Sequence, residues 1–258
     1  MTEKCRYRCP LFFLLIFLPV FIGSCATSRT DEIKRAEALK NLGNALVSEG
    51  KVRQGYTELL KAHKLDPKNP ELNQGLALVC RNLEKYDLAL QYFNRALKLK
   101  PNFPEARNNM GTVYLLTGGW DKAIFCFKEA ANNPLYETPQ YAYNNMGTAY
   151  FNKGDYPKAI ESYQLAIQTA GSYFVAYLNL AIAYKAQGDW DKALAACREA
   201  NLVFPRDPVA HLIMGQLLLK VNKKEEAVEE LNLAVKYGGE GKEAKEAQVM
   251  LGVLGSEK

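Results

Sequence analysis

The chain has 258 residues, 48% of them hydrophobic and 24% charged, with a formal net charge of +5. That balance excludes a disordered chain, which would lack the apolar residues needed to form a core. No basic run with interleaved aromatics occurs, so a nucleic-acid partner is not expected, and two distant histidines with cysteines at no metal-ligand spacing speak against a resident metal.

In chain order, the first segment differs in composition from all that follows. Lys4, Arg6 and Arg8 precede an unbroken apolar run from Leu11 to Ile22. The run is shorter than the roughly 20 residues needed to span a bilayer, but it suits the hydrophobic region of a secretory signal. It ends in Ile22-Gly23-Ser24-Cys25, which resembles a bacterial lipobox. The resemblance implies that residues 1–24 are a lipoprotein signal peptide and that Cys25 becomes a lipidated first residue. Residues 25–35 would then be a lipidated tether. The alternatives are an ordinary signal peptide cut elsewhere and an uncleaved anchor. Two or more acyl chains hold a protein stably at ~0.8 kcal/mol per buried methylene, so a triacylated Cys25 would attach the body permanently. Ala26, where aspartate would retain the protein at the inner membrane, resembles the enterobacterial signal for the outer membrane, facing the periplasm. Without residues 1–24, which carry Glu3 as well as the three basic residues, 30 basic and 27 acidic residues remain, a net charge of +3.

From residue 36 onward one pattern recurs. Small residues stand at Gly43, Ala77, Gly111, Gly147, Ala181 and Gly215, at intervals of 34, 34, 36, 34 and 34. Two further ladders, Gly55 to Ala227 and Ala62 to Ala234, keep the same intervals and break at the same place. A period of 34 with these offsets is the signature of tetratricopeptide repeats, each a helix–turn–helix unit. The small residues let paired helices approach to roughly 8–10 Å. Large residues such as Phe127 and Tyr163 fill the space around them, with Cys197 in the equivalent place of the fifth unit. The expected fold is all-α, a right-handed α-solenoid of six repeats at 36–69, 70–103, 104–139, 140–173, 174–207 and 208–241, with a capping helix and tail at 242–258.

The turns support this reading. Gly118-Gly119-Trp120-Asp121, Gly154-Asp155-Tyr156-Pro157 and Gly188-Asp189-Trp190-Asp191 place glycine at a helix end and aspartate where it can cap the next helix. Asp66-Pro67, Lys100-Pro101 and Phe204-Pro205 stop the second helix of a unit. The fourth unit has Gly171-Ser172 in that place. Cys80, Cys126 and Cys197 are expected to be small buried hydrophobes.

Candidate chemistry is sparse. The glycines obey the repeat register, so no phosphate-binding loop is expected, and no nucleophile sits in a strand–turn–helix setting. No catalytic residue, metal or cofactor is expected, and an enzyme or a metabolite binder is the weaker alternative. Function is expected in the groove lined by the first helix of each unit, through its second, fifth, ninth and twelfth positions. In the first two units these are polar, with Glu37, Lys40, Asn44, Glu71, Gln74 and Arg81. Further on they turn apolar and aromatic. The fourth unit gives Tyr141, Asn144, Thr148 and Phe151; the fifth gives Val175, Leu178, Ile182 and Lys185; the sixth gives Val209 and Leu212, followed by Gln216 and Leu219. Exposed apolar surface of that extent marks an interaction site, and a groove suits a helix or extended peptide. An alternative is that some of these side chains pack on the closing helix. The basic clamp with which chaperone-type repeats hold a terminal carboxylate is broken at Gly75, Glu105 and Asn109.

The two-residue insertion lies in Asn132-Asn133-Pro134-Leu135-Tyr136-Glu137-Thr138-Pro139. With the lipobox and six repeats, this segment resembles the type IV pilus biogenesis/stability lipoproteins, the secretin-pilotin family. The resemblance implies an outer-membrane lipoprotein that helps the pilus secretin reach or assemble in that membrane, with a secretin subunit or another pilus component as partner. A general cell-envelope adaptor using the same groove is the alternative.

Overall fold

The computed structural model describes the backbone of residues 19–256 and the side chains of residues 29–256. The basic start and most of the apolar run lie outside the described residues, and Cys25 lies outside those whose side chains are described. Among the described residues there are thirteen helices and no strand. Residues 1–100 and 101–258 form two compact units.

The first unit contains α1 (Pro19–Ser48), α2 (Val52–Leu65), α3 (Pro70–Asn82) and α4 (Tyr86–Leu99). The segment read as a tether is helical here, as the N-terminal part of the 30-residue α1. The physical reason is composition. Thr27 to Lys40 holds no glycine or proline, and Arg29 pairs with Glu32 one turn on at 3.5 Å. Arg29 also donates to the Leu65 carbonyl at 3.4 Å and lies 3.9 Å from Asp66, which fastens α1 to the end of α2.

The second unit contains four helix pairs and a single last helix. The pairs are α5 (Pro104–Leu116) with α6 (Trp120–Ala131), α7 (Pro139–Lys153) with α8 (Tyr156–Thr169), α9 (Phe174–Gln187) with α10 (Trp190–Val203), and α11 (Pro208–Lys220) with α12 (Lys224–Gly238); α13 spans Lys242–Ser256. Proline opens α3, α5, α7 and α11, where its missing N–H costs no helical hydrogen bond. Gly154 and Gly188 close their helices at φ 85° and 81°, a conformation that costs glycine little. Asp155 and Asp189 then accept from the Lys158 and Lys192 amides. Asp121 differs from the expectation: Gly119 occupies the cap, and Asp121 sits in the first turn of α6, paired with Lys153. The prolineless end of the fourth unit keeps the same turn. Ala170 at φ −145°, ψ 92° reproduces Phe204 at −139°, 83°.

Within each pair the small residues sit against the large ones. A Cβ on Gly111 would stand 2.7 Å from the Phe127 ring, and one on Gly215 2.8 Å from Leu231. Phe93, Phe127, Leu217 and Leu231 are among the largest fully buried side chains. Cys80, Cys126 and Cys197 are buried free thiols. Burial pushes the Cys126 thiol up to about 11 and that of Cys197 up to about 12, which makes both inert as nucleophiles at neutral pH.

Candidate functional site

The first helices of successive pairs in residues 101–258, α5, α7, α9 and α11, present a shared wall. Its continuity is visible in hydrogen bonds from one helix to the next. Asn145 donates to Asn108 at 3.3 Å, Asn179 donates to Asn144 at 2.9 Å, and Lys185 donates to Gln216 at 2.7 Å. Gln216 in turn donates to Glu246 of α13 at 2.9 Å.

Along this wall the expected partner-facing residues divide into three groups. Tyr141 and Val175 are exposed, at 44% and 42%. Both occupy the second position of their repeat, counted from residues 140 and 174, one repeat apart. Thr148, Phe151, Ile182, Lys185 and Val209 are half-buried. Thr148 donates to the Asn144 carbonyl at 3.1 Å and accepts from the Tyr163 hydroxyl at 3.3 Å, while Phe151 lies against Tyr156 with centroids 5.3 Å apart.

Asn144, Leu178 and Leu212 correct the expectation, because all three are buried. The reason is the close approach of neighbouring first helices, which brings the fifth position of one beside the sixth position of the next. Asn144 therefore meets Asn179, and Leu178 joins the core that includes Ile213. Leu212 is covered differently: it packs in a cluster with Leu231, Ala234 and Ala247, against which Met250 and Leu251 of α13 also lie. The closing helix thus takes one of the side chains expected to face a partner.

Tyrosines that the repeat pattern did not single out surround Tyr141. Its ring meets Tyr173 edge-on at 5.2 Å. Tyr136, from the insertion, is buried against Ala131, Ala142 and Met146. Burial raises the phenol pKa of both Tyr136 and Tyr173, and the neighbouring tyrosine hydroxyls add to the shift. The insertion is held by Asn133, whose side chain donates to Asn102 and accepts from the Leu135 amide at 3.0 Å. That turn places Tyr136 inward and Leu135 outward at 64% exposure. The asparagines at the sixth position, Asn109, Asn145 and Asn179, recur in register, a signal that the choice of groove positions passed over.

His63 Nε2 is 3.3 Å from Asn73 Oδ1. His211 is buried between the Glu230 carboxylate, 2.6 Å from Nδ1, and the Pro205 carbonyl, 3.1 Å from Nε2. Among the described residues no group of three or more His, Cys, Asp or Glu could hold a metal ion, and no helix is long and apolar enough to cross a membrane.

The family model described as cilia and flagella-associated protein 70 C-terminal domain matches residues 101–244, and one described as TPR repeat matches residues 78–118. No curated protein matches the sequence. Among solved structures, PilW, titled a widely conserved type IV pilus biogenesis factor, superposes with a TM-score of 0.75 at 20% identity, covering 83% of this chain and 98% of its own. The pilF structure from Pseudomonas aeruginosa superposes with a TM-score of 0.71 at 17% identity, covering 86% and 99%. YrrB, titled a TPR protein with an unusual peptide-binding site, gives 0.56 at 19% identity over 74% and 97%. At these identities the likeness is one of fold.

Proposed function

We propose that this chain, which belongs to the tetratricopeptide-repeat family of the cilia and flagella-associated protein 70 C-terminal domain, works by holding a segment of a protein partner along the wall formed by α5, α7, α9 and α11. Tyr141 and Val175 carry this reading. They are large apolar side chains exposed at equivalent positions of successive units, where a solvated helix would hold polar residues. Such a wall makes and breaks no covalent bond, so the protein acts as a scaffold and not as an enzyme.

The partner is proposed to be a component of the type IV pilus machinery, its secretin foremost. Support comes from the fold shared with PilW and pilF and from the Asn-Pro-Leu-Tyr-x-Thr-Pro segment of the insertion. Acylation at Cys25 would fix the scaffold to the outer membrane, facing the periplasm, and so give the partner an address.

Complementation of a deletion strain tests this. Cys25→Ser and Tyr141→Asp/Val175→Asp are each expected to accumulate as folded protein yet fail to restore secretin multimers and twitching. Full restoration by the folded Tyr141→Asp/Val175→Asp variant would refute the assignment of the wall.

A further inference from the structure

The first unit, residues 1–100, carries a charge pattern that the protein-binding wall does not use. Within it, the starts of α1 and α3 and the ends of α2 and α4 meet at one rim. Arg29 of α1 donates to the Leu65 carbonyl at the end of α2. His63 Nε2 of α2 lies 3.3 Å from Arg95 Nη1 of α4, and Lys100, just past α4, pairs with Glu71 at the start of α3 at 2.9 Å. Segments 61–71 and 95–100 of this rim hold six basic and two acidic residues. Both acids already face a cation, Asp66 at Arg29 and Glu71 at Lys100. Lys64, Lys68 and Lys98 are exposed and have no acidic partner among the described residues.

Lysines at helix ends also complement the partial negative charge of the last carbonyls, but that demand is the same at every helix end. The equivalent segments of the second unit, 129–141, 165–175, 199–209 and 233–243, hold three basic and six acidic residues. Asn132, Gln168 and Leu202 stand where α2 and α4 carry Lys64 and Lys98, and Lys236 of α12 alone repeats the lysine. The first unit differs in what precedes it. Cys25 lies four residues before Arg29 on α1, about one helical turn, so that residue emerges at this rim. We propose that the rim binds anionic phospholipid headgroups of the leaflet in which Cys25 is anchored; the inference rests on that anchoring and goes beyond the protein-binding wall. Each unpaired lysine near an anionic lipid surface strengthens association about fivefold. The acyl chains hold the chain at the membrane, and the lysines turn the ends of α2 and α4 toward it. An acidic peptide would meet the same charges, but nothing would confine it to the end where Cys25 emerges.

Photo-crosslinking to vesicles tests this on the purified full chain. A photo-reactive residue would be placed at Leu99, 37% exposed between Lys98 and Lys100, or at Asn82, exposed at the far end of α3. The vesicles are phosphatidylcholine alone or phosphatidylcholine with phosphatidylglycerol. Phospholipid adducts at Leu99 are expected to be at least about tenfold more abundant with phosphatidylglycerol, and to fall at least about tenfold in Lys64→Gln/Lys68→Gln/Lys98→Gln. Raising salt from about 0.1 M to about 1 M, which shortens the screening length from about 10 Å to about 3 Å, should do the same. Asn82 should give no adduct. Equal yields from the two vesicles, or from the native chain and the triple variant, would show that the anchor alone brings Leu99 to lipid and would overturn headgroup binding. Adducts from Asn82 and none from Leu99 would overturn it as well. Preference of the Leu99 probe for added polyglutamate over phosphatidylglycerol would overturn it in favour of an acidic protein partner. The intact mass reads the anchor separately. A chain without acyl groups would refute the anchoring, and lysine-dependent adducts in that same chain would leave the rim standing.

Discussion

A Cβ placed on Gly147 would stand 2.6 Å from the Tyr163 ring, closer than side-chain carbons pack. The equivalent pair one repeat later is Ala181 of α9 and Cys197 of α10, both fully buried, so the larger residue on the first helix coincides with the smaller residue on the second. Gly147→Ala is expected to cost about 1–3 kcal/mol through overpacking. Tyr163→Cys should be less harmful in that background than in the native chain, because the two sites share one space. Denaturant melts of the four proteins check the coupling; simple additivity would show that the glycine is not set by the ring.

Glu84 and Asn222 adopt φ 58° at turns where Gly118, Gly154 and Gly188 adopt 77–85°. A left-handed conformation costs a residue with a Cβ about 1–2 kcal/mol, offset in part by the greater unfolded-state freedom of glycine. Glu84→Gly is therefore expected to stabilise the first unit by about 0.5–1 kcal/mol, read as a higher denaturation midpoint. A lower midpoint would mean that the Glu84 side chain contributes more than its backbone costs.

His211 predicts a pH dependence with a defined sign. Burial by itself would lower its pKa, but the hydrogen bonds to the Glu230 carboxylate and the Pro205 carbonyl, with further attraction from Glu230 and Asp207, outweigh it and leave the pKa raised. A raised folded-state pKa gives stability that is complete below the ordinary histidine value of about 6.5 and is lost as pH rises through the folded value. The native chain should lose stability as pH rises from the ordinary histidine value of about 6.5 through the raised folded-state value, and Glu230→Gln should flatten that slope. An unchanged slope in Glu230→Gln would rule out the pair as its source.

Leu178 and Ile182 are neighbours on one face of α9, but Leu178 belongs to the buried core and Ile182 only lies against it. Leu178→Asp is expected to unfold the second unit, since a buried unpaired charge costs several kcal/mol, whereas Ile182→Asp should leave a folded protein with weakened partner binding. Circular dichroism separates the two; a folded Leu178→Asp would place that side chain in solvent after all.

The repeat register was legible in the sequence because Gly147 or Ala181 answers a local demand, the closeness of two helices joined by a short turn. Turn residues such as Gly154 and Asp155 were legible for the same reason. Tyr141 and Val175 could be placed on the wall from period alone. The burial of Asn144 and Leu178 could not, since it depends on how near the next unit's first helix comes. Leu212 escaped because α13 covers it from outside its own unit. The insertion breaks the period, so nothing in the spacing says that Tyr136 turns inward and Leu135 outward; the Asn133 hydrogen bonds decide that. Helical continuity through Arg29 rests on its contacts with Leu65 and Asp66, which lie more than thirty residues away in the chain.

The most direct test of the protein-binding wall is site-specific photo-crosslinking in cells, with probes at Tyr141 and Val175 compared with probes at Phe125 and Leu202. The latter pair is also exposed, at 59% and 74%, but stands on α6 and α10, the second helices of their pairs. Crosslinks to one protein partner from Tyr141 and Val175, and none from Phe125 and Leu202, are predicted. Crosslinks from Phe125 and Leu202 alone would contradict the account.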